Sequence, residues 1–203
     1  MRDALSSDAI SPAARKSELR HCLRRLRVAI PGSQRRCCAR RAARQLARWR
    51  ALRRARDVAV YLSVRSELST APLLARLLRR GRHRVWAPVT GSAPRMRFAP
   101  LRRHSCLRRG ALGLPQVACT RPLRSAASLD LVLLPLLGFD GQGHRLGNGG
   151  GWYDRALAGR RSGRRPLLVG YAYAAQEIAA VPAEPWDVKL DAIATERGLR
   201  RFR

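Results

Sequence analysis

The sequence predicts a single α/β domain built on a mostly parallel sheet flanked by helices. Three observations support this prediction. Apolar residues repeat with helical spacing over residues 13–55, short apolar runs of strand type then alternate with helical segments, and the most apolar run leads into a glycine-rich loop. At 203 residues, the chain is long enough to bury a core of its own.

The first part of the chain is expected to form a flexible polar lead over residues 1–12, followed by two helices. The first helix carries an apolar stripe made of Leu19, Cys22, Leu23 and Leu26. Pro31 and Gly32 interrupt the helical pattern, and Ser33 is the expected N-cap of a second helix that runs to Leu52. We expect one domain over residues 13–200, because no linker or internal repeat divides it.

Five segments after the helices are of strand type, because they are rich in β-branched or other apolar residues: 57–64, 83–89, 96–101, 129–137 and 166–174. A short last strand is expected near Asp191–Ala194. Helices are expected over Ala71–Arg80 and from Tyr153 to Gly159, so that strands and helices alternate along the chain.

The strand predicted at 129–137, LDLVLLPLL, is the most apolar run and should lie at the centre of the sheet with both faces buried. The strand at 96–101 is expected at an edge, because proline is tolerated there and disrupts a central ladder. Residues 102–129 show no sustained period and are expected to form a loop-rich crossing.

The net charge of +29 comes almost entirely from arginine, since Lys16 and Lys189 are the only lysines among 42 basic residues. A nucleic-acid-binding protein is one interpretation. Arginine-rich codon usage is the other, and the even spread of arginines and the low aromatic content of 5% favour it. We expect only nonspecific binding of polyanions at low salt.

The sequence shows no apolar run of membrane-spanning length and no signal-peptide pattern, so a cytoplasmic protein without a membrane partner is expected. The five cysteines are odd in number and lack metal-ligand spacing. We expect them to be small buried side chains in a reducing compartment.

The stretch GFDGQGHRLGNGGGWYDRAL, residues 138–157, is the main candidate site. It follows the most buried strand and leads into a helix, at the edge where open α/β sheets bind ligands. Its glycines allow backbone N–H groups to converge on phosphate oxygens, and Arg145 offers a bidentate partner. From spacing alone, a phosphate site and a glycine loop capped by Asp154 are equally well supported.

Five blocks of the chain resemble the 5-formyltetrahydrofolate cyclo-ligase family (5,10-methenyltetrahydrofolate synthetase), whose signature is roughly GFD..G.RLG.G.GYYD. Besides the glycine stretch they are KSELRHCLRRLR (16–27), YLSVRSELSTAPLL (61–74), GLPQ (113–116) and PWDVKLDAIATE (185–196). The blocks follow the family's order over most of the chain, which makes the resemblance specific.

The resemblance implies a Rossmann-like three-layer fold of the NagB/RpiA/CoA-transferase type and a monomer that uses ATP and Mg²⁺. The implied substrate is 5-formyltetrahydrofolate, with or without a polyglutamate tail. ATP would phosphorylate the formyl oxygen, and closure by the folate N10 would give 5,10-methenyltetrahydrofolate, ADP and phosphate. The alternative is a basic nucleic-acid-binding protein on the same fold with a vestigial folate site.

The resemblance also assigns site residues. The implied ATP contacts are Lys16, Arg20, Arg145, Leu146, Gly147, Asn148, Gly149, Gly150, Gly151, Trp152 and Tyr153. The implied folate contacts are Leu62, Glu67, Gln116 and Trp152, with Trp186 as a further pocket residue. The implied metal ligands are Asp154 and Asp191.

Several of these residues have a structural alternative that the sequence leaves open. Arg20 could lie on a solvated helix face, and Leu62 could be a core residue. Glu67 could cap a helix or face solvent. Asp191 suits a structural cap. Departures from the family signature also affect the loop, where Trp152 replaces a Tyr or Phe and Asn148 stands where some relatives carry a basic residue.

Overall fold

Within the part of the chain that the structure describes, seven strands form one sheet with helices on both faces. The structure is a computed structural model, and it describes residues 12–79, 81–90, 96–110, 113–118, 123–160 and 164–202. The expected lead lies outside these ranges except for Pro12, which already belongs to the first helix.

The helices of the described residues are α1 (Pro12–Ala29), α2 (Gly32–Arg48), α3 (Arg50–Arg54), α4 (Ala71–Arg79) and α5 (Trp152–Leu157). Two short 3₁₀ turns, Ala126–Ser128 and Ala174–Gln176, lie between strands. The expected helices are therefore present, but α2 ends at Arg48 because Trp49 adopts an extended conformation with ψ of 127°.

The strands are β1 (Asp57–Ala59), β2 (Arg84–Val89), β3 (Arg97–Pro100), β4 (Leu107–Arg109), β5 (Pro115–Val117), β6 (Leu131–Leu134), β7 (Gly138–Phe139), β8 (Arg145–Leu146), β9 (Leu167–Tyr171), β10 (Ala192–Ala194) and β11 (Leu199–Arg201). The large sheet has the order β11-β10-β9-β6-β1-β2-β3. Its four inner pairings are parallel, and the two edge pairings, β2–β3 and β10–β11, are antiparallel.

The central strand is β6, as the apolar run predicted, and all four of its residues are buried. Leu131 and Leu133 point into a core shared with α2 and α4, whereas Val132 and Leu134 point into a second core that includes Leu157 of α5. Alternate side chains of the strand therefore pack against the helices on opposite faces of the sheet. The predicted α/β fold with a mostly parallel sheet is confirmed.

Three short elements were not predicted from the sequence. The expected crossing over 102–129 contains the β4–β5 hairpin, the glycine stretch contains the β7–β8 hairpin, and β11 extends the sheet at one edge. Each strand has only two or three residues, which is too short for an apolar period to be visible.

The expectation that Ser33 caps α2 is wrong, since the helix begins at Gly32 with Pro31 as its N-cap. The proline ring fixes φ at −58°, close to the helical value, so the helix starts earlier. The expectation of buried cysteines is wrong for Cys22, Cys37 and Cys106, which are exposed, and correct for Cys38; Cys119 lies outside the described residues.

The apolar stripe expected on α1 is also only partly correct. Leu23 is buried against Leu137 and Leu146, but Leu26 is 36% exposed. The other buried side chains of α1 include Lys16 and Arg27, because this helix borders a polar cavity rather than the apolar face of the sheet. None of the described helices is long and apolar enough to cross a membrane.

Asp140 fixes the β7–β8 hairpin against the segment near Val181. Its Oδ1 accepts hydrogen bonds from the backbone N–H groups of Gln142 (2.9 Å) and His144 (3.0 Å), and its Oδ2 accepts one from Val181 (3.1 Å). The His144 ring nitrogen Nδ1 lies 2.9 Å from the same Oδ2. Burial alone raises the pKa of Asp140, but these bonds outweigh it and lower the pKa from its ordinary value of 3.8.

Replacing Asp140 with Asn should therefore destabilise the fold by about 2 kcal/mol or more at neutral pH, because an amide cannot accept at both ends. The lowered pKa means that this stabilisation is complete above the ordinary value of 3.8 and is lost as pH falls below it. Urea unfolding of the wild type and of Asp140→Asn from pH 7 to pH 3 should show that the difference between their free energies of unfolding becomes smaller at acid pH. Glu177→Gln, at an exposed ion pair with Arg200, is the control and should change little.

Candidate functional site

A cavity of about 1990 Å³ opens at the carboxyl ends of the parallel strands. Its lining includes Tyr61 and Leu62, which follow β1, Pro135, which follows β6, and Thr90, which follows β2. Open α/β sheets bind ligands at this edge, because the connections that leave the strands diverge there.

The cavity is strongly basic. Among the described residues that line it, twelve are Lys or Arg and four are Asp or Glu. The arginines come from α1, α2, the turn after β1, β4, the glycine stretch and the segment after α5, so the positive charge converges from separate parts of the chain. A cavity of this kind favours anionic ligands and raises their local concentration.

The glycine stretch forms one wall and depends on glycine at two positions. Gly149 has φ of 106° and Gly151, the N-cap of α5, has φ of 60°, both in the region that side chains disfavour. A Cβ at Gly151 would also lie 2.8 Å from the guanidinium of Arg155. No side chain caps α5, so the loop is not the Asp154-capped turn that the spacing left open.

Helix α1 holds the glycine stretch through two arginines. The Nε of Arg20 donates to the carbonyl oxygen of Gly147 at 3.1 Å, and Arg24 donates to that of Asn148 at 3.3 Å. The guanidinium of Arg20 would lie 3.7 Å from a Cβ built on Gly149. The loop and the helix therefore fit closely, and Arg20 does not occupy a freely solvated face.

Arg145 and Asp154 form an ion pair at 2.6 Å inside the cavity. Arg145 is buried, and its Nε has no hydrogen-bond partner among the described residues. Asp154 accepts this bond and a longer one, 3.3 Å, from the backbone N–H of Val188, both at Oδ1. A buried guanidinium nitrogen without a partner is costly, and an anionic ligand oxygen would satisfy it.

Lys16 lies at the far end of the same wall and pairs with two carboxylates. Its Nζ contacts Glu184 and lies 2.6 Å from Asp187, although the lysine itself is buried. Burial lowers the pKa of Lys16, but the bonds to Asp187 and Glu184 outweigh this and raise it. These two ion pairs connect α1 to the segment around Trp186. The Trp186 side chain is 65% exposed and also lines the cavity.

Glu67 lies in a tight turn after β1 that lines the same cavity, next to the Asn148 side chain of the glycine stretch. The N–H of Val64 donates to its Oε2 at 3.0 Å, and its own N–H donates to the Val64 carbonyl at 3.0 Å. Burial raises the pKa of Glu67, while the Val64 bond, the Arg27 charge and the Asn148 side chain oppose that rise. Glu67 therefore neither caps a helix nor faces open solvent.

The remaining predicted folate contacts also line the cavity. Leu62 is half-buried and packs on the first core as well. Gln116 is buried and accepts a hydrogen bond from the Thr90 N–H at 3.2 Å. Trp152 is half-buried, with the Arg155 guanidinium 5.0 Å from its ring centre, and Tyr153 lies beside it in the lining.

Asp191 lies apart from these residues. It immediately precedes β10, at the amino end of that strand, and is not part of the cavity lining. It forms an ion pair with Arg160 and accepts the Leu168 N–H at 2.7 Å. Across the described residues, no three potential His, Cys, Asp or Glu ligands lie close enough together to hold a metal by themselves.

The charged cavity residues that the sequence did not predict include Arg24, Arg27, Glu184 and Asp187. A signal for the two arginines was present, since Lys16, Arg20, Arg24 and Arg27 recur at helical spacing on one face of α1. Glu184 and Asp187 gave no such signal, because they lie 168 and 171 positions from their partner Lys16.

These features define an α/β protein with a strongly basic cavity at the carboxyl edge of its sheet and the Glu67 carboxylate in the same lining. The chain belongs to the 5-formyltetrahydrofolate cyclo-ligase family, whose model matches residues 12–196. The resemblance seen in the sequence motifs is therefore confirmed.

The chain is similar to known proteins over most of its length. It is 34% identical over 176 residues to 5-formyltetrahydrofolate cyclo-ligase of Escherichia coli (strain K12), covering 85% of this chain and 96% of that protein. The enzyme of the same name from Haemophilus influenzae is 32% identical over 147 residues, or 68% of this chain and 74% of that one.

Two solved structures share the fold. The solution structure of Aquifex aeolicus 5,10-methenyltetrahydrofolate synthetase gives a TM-score of 0.79 at 27% identity, covering 93% of each chain. The Mycoplasma pneumoniae 5,10-methenyltetrahydrofolate synthetase gives a TM-score of 0.71 at 24% identity, covering 89% of this chain and 98% of that one. The second likeness concerns the fold alone.

Gly149→Ala should destabilise the protein by about 1 kcal/mol or more, because alanine is strained at a φ of 106°. Displacement of the loop should also weaken binding of inorganic triphosphate, measured by calorimetry. Gly141→Ala is the matched control, since Gly141 belongs to the same stretch, lies exposed and has open space around its Cβ position. Equal effects of the two changes would contradict the assigned role of Gly149.

Proposed function

We propose that the chain catalyses the ATP-dependent cyclisation of 5-formyltetrahydrofolate to 5,10-methenyltetrahydrofolate, as its family and its relatives' names indicate. The γ-phosphoryl group passes to the formyl oxygen, and ADP leaves. N10 of the folate then attacks the activated formyl carbon, and the former formyl oxygen departs with phosphate.

The observation that carries this proposal is one cavity in which the glycine stretch and the Glu67 turn face the same space. Its volume of about 1990 Å³ exceeds the ~300–1,000 Å³ that is usual for one ligand. Both substrates of a phosphoryl transfer must be bound together, so a cavity with room for two ligands supports such a reaction.

In this proposal the triphosphate of ATP binds along the glycine stretch from Arg145 to Tyr153. The unpartnered Nε of Arg145 supports this location, as does the guanidinium of Arg20 at the same wall. Lys16 would reach the phosphates by exchanging its contact with Glu184 or Asp187 for a phosphate oxygen.

The folate would bind next to the triphosphate, between Glu67, Leu62, Gln116 and Trp152. A carboxylate such as Glu67 accepts hydrogen bonds from the N–H groups of a pterin, and Trp152 offers a flat apolar face for its ring. The folate tail carries carboxylates, which suit the basic lining, so we propose that a polyglutamate tail strengthens binding.

Mg²⁺ fits one position in the cavity. It is usually held by one or two carboxylates together with substrate phosphates, and Asp154 supplies a carboxylate beside the proposed phosphate site. When bound, the ion neutralises phosphate charge. Asp191 is assigned as a ligand by the family resemblance alone, and its ion pair with Arg160 favours the structural alternative.

The protein groups act by binding and orientation. Arg145, Arg20 and Lys16 neutralise charge around the transferred phosphoryl group, and Glu67 orients the folate so that its formyl oxygen faces the γ-phosphate. The protein has no need of a nucleophile, since the nucleophile at each step belongs to the folate. We further propose a single domain over residues 13–200 that acts as a monomer in the cytoplasm.

Purified protein should convert 5-formyltetrahydrofolate to a product that absorbs in the near ultraviolet, as methenyltetrahydrofolate does, when ATP and Mg²⁺ are both present. Omitting ATP gives the baseline. Folded protein that shows no ATP-dependent increase in absorbance would rule out the proposed activity.

Asp154→Asn should lower kcat/KM by about tenfold or more and raise the Mg²⁺ concentration that gives half-maximal rate, because a neutral amide is a weaker magnesium ligand. The change also frees Arg145, so thermal stability is measured alongside. Asp191→Asn, assayed in the same way, shows whether the second carboxylate also affects the magnesium requirement. An unchanged magnesium requirement in Asp154→Asn would exclude the metal role of Asp154.

A further inference from the structure

Arg27 is a buried arginine of α1 that none of the assigned roles includes. It is 6% exposed, and its Nε donates to the hydroxyl oxygen of Ser66 at 3.1 Å. Ser66 is itself 5% exposed. Burying a guanidinium is costly unless it is hydrogen-bonded and has a charge of opposite sign nearby, so this position requires an explanation.

Ser66 is the centre of the turn that carries Glu67. The two bonds between Val64 and Glu67 close the turn, and Arg65 between them adopts a φ of 53°, which residues other than glycine rarely do. A strained turn persists only where its surroundings hold it. The bond from Arg27 to Ser66 provides such a support from a different element, 39 positions away.

Arg27 also acts on the Glu67 carboxylate through its charge. It belongs to the groups that lower the pKa of Glu67 against the opposing effect of burial, and Glu67 in turn opposes the lowering of the Arg27 pKa by burial. The Asn148 side chain and Arg65 also lower the pKa of Glu67, and the buried hydroxyls of Tyr61 and Tyr153 interact with it. Arg27 is the buried cation of this set.

We propose that Arg27 is a positioning residue for folate binding: it anchors the Ser66 turn and holds Glu67 as a carboxylate facing the cavity. This inference rests on the proposed function, in which Glu67 contacts the folate. It differs from the role of Arg20 and Arg24, which bond to the glycine stretch on the nucleotide side. One helix thus serves both ligands with different residues.

The test compares Arg27→Gln, Arg27→Lys and Ser66→Ala by steady-state kinetics from pH 5 to pH 9. Arg27→Gln should raise KM for 5-formyltetrahydrofolate about tenfold, the effect of losing roughly 1.4 kcal/mol, and leave KM for ATP unchanged. Removal of the positive charge raises the pKa of Glu67 further. The acid limb of kcat/KM for the folate should therefore move to higher pH.

The two other variants separate charge from geometry. Ser66→Ala keeps the cation but loses the anchor, so KM for the folate should rise while the acid limb stays in place. Arg27→Lys keeps the positive charge, so the acid limb of its kcat/KM profile should stay at the wild-type pH. It also serves as the folded variant if Arg27→Gln is unstable. The proposal would be overturned if Arg27→Gln left both the acid limb of kcat/KM and the KM for the folate unchanged. An equal rise in KM for the folate and for ATP would also overturn it.

Hydrogen exchange provides a readout that does not depend on turnover. The amides of Val64 and Glu67 should exchange faster in Arg27→Gln than in the wild type, because the turn loses its anchor. An inactive wild type with this difference in exchange would refute the proposed function but leave the anchoring in place. Equal exchange in the two proteins would refute the anchoring itself.

Discussion

The cavity depends on the contact between the first helix and the glycine stretch. The bonds from Arg20 to Gly147 and from Arg24 to Asn148 join residues 127 and 124 positions apart. Without them, the carbonyl oxygens of Gly147 and Asn148 would lose their donors, and Lys16 and Arg27 would remain as the polar links between α1 and the cavity. The sheet forms the floor of the cavity, but this contact gives it a wall and fixes the conformation of the loop.

Three of the 13 acids in a chain with a net charge of +29 neutralise the cations of that wall. Asp154 neutralises Arg145, and the acids at 184 and 187 neutralise Lys16, so the cations can be buried without repelling one another. These carboxylates occupy the same cationic groups that an incoming polyphosphate would contact. In the proposed function, a polyphosphate at this wall therefore exchanges places with these carboxylates, and the loss of the existing ion pairs offsets part of the energy of the new ones.

The sequence predicted what short-range patterns encode. The run at 129–137 predicted the central strand β6 because two-sided burial requires continuous apolar residues, and the glycines predicted a loop with unusual backbone angles. It did not predict the β7–β8 hairpin, whose two-residue strands have no visible period. Nor did it predict the partners of Lys16, since a contact between distant segments leaves no local trace. The Asp191 environment was missed for the same reason.

The position of α1 in the chain has a consequence for biosynthesis. This helix leaves the ribosome before the sheet, yet several of its bonding partners follow only at residues 147, 148, 184 and 187. Until those residues are synthesised, Lys16, Arg20 and Arg24 lack the partners that they have in the folded protein. Contacts of such long sequence separation form late, because closing long loops is entropically unfavourable. A ribosome-bound chain that ends before residue 184 therefore lacks both acidic partners of Lys16, and its cavity is incomplete.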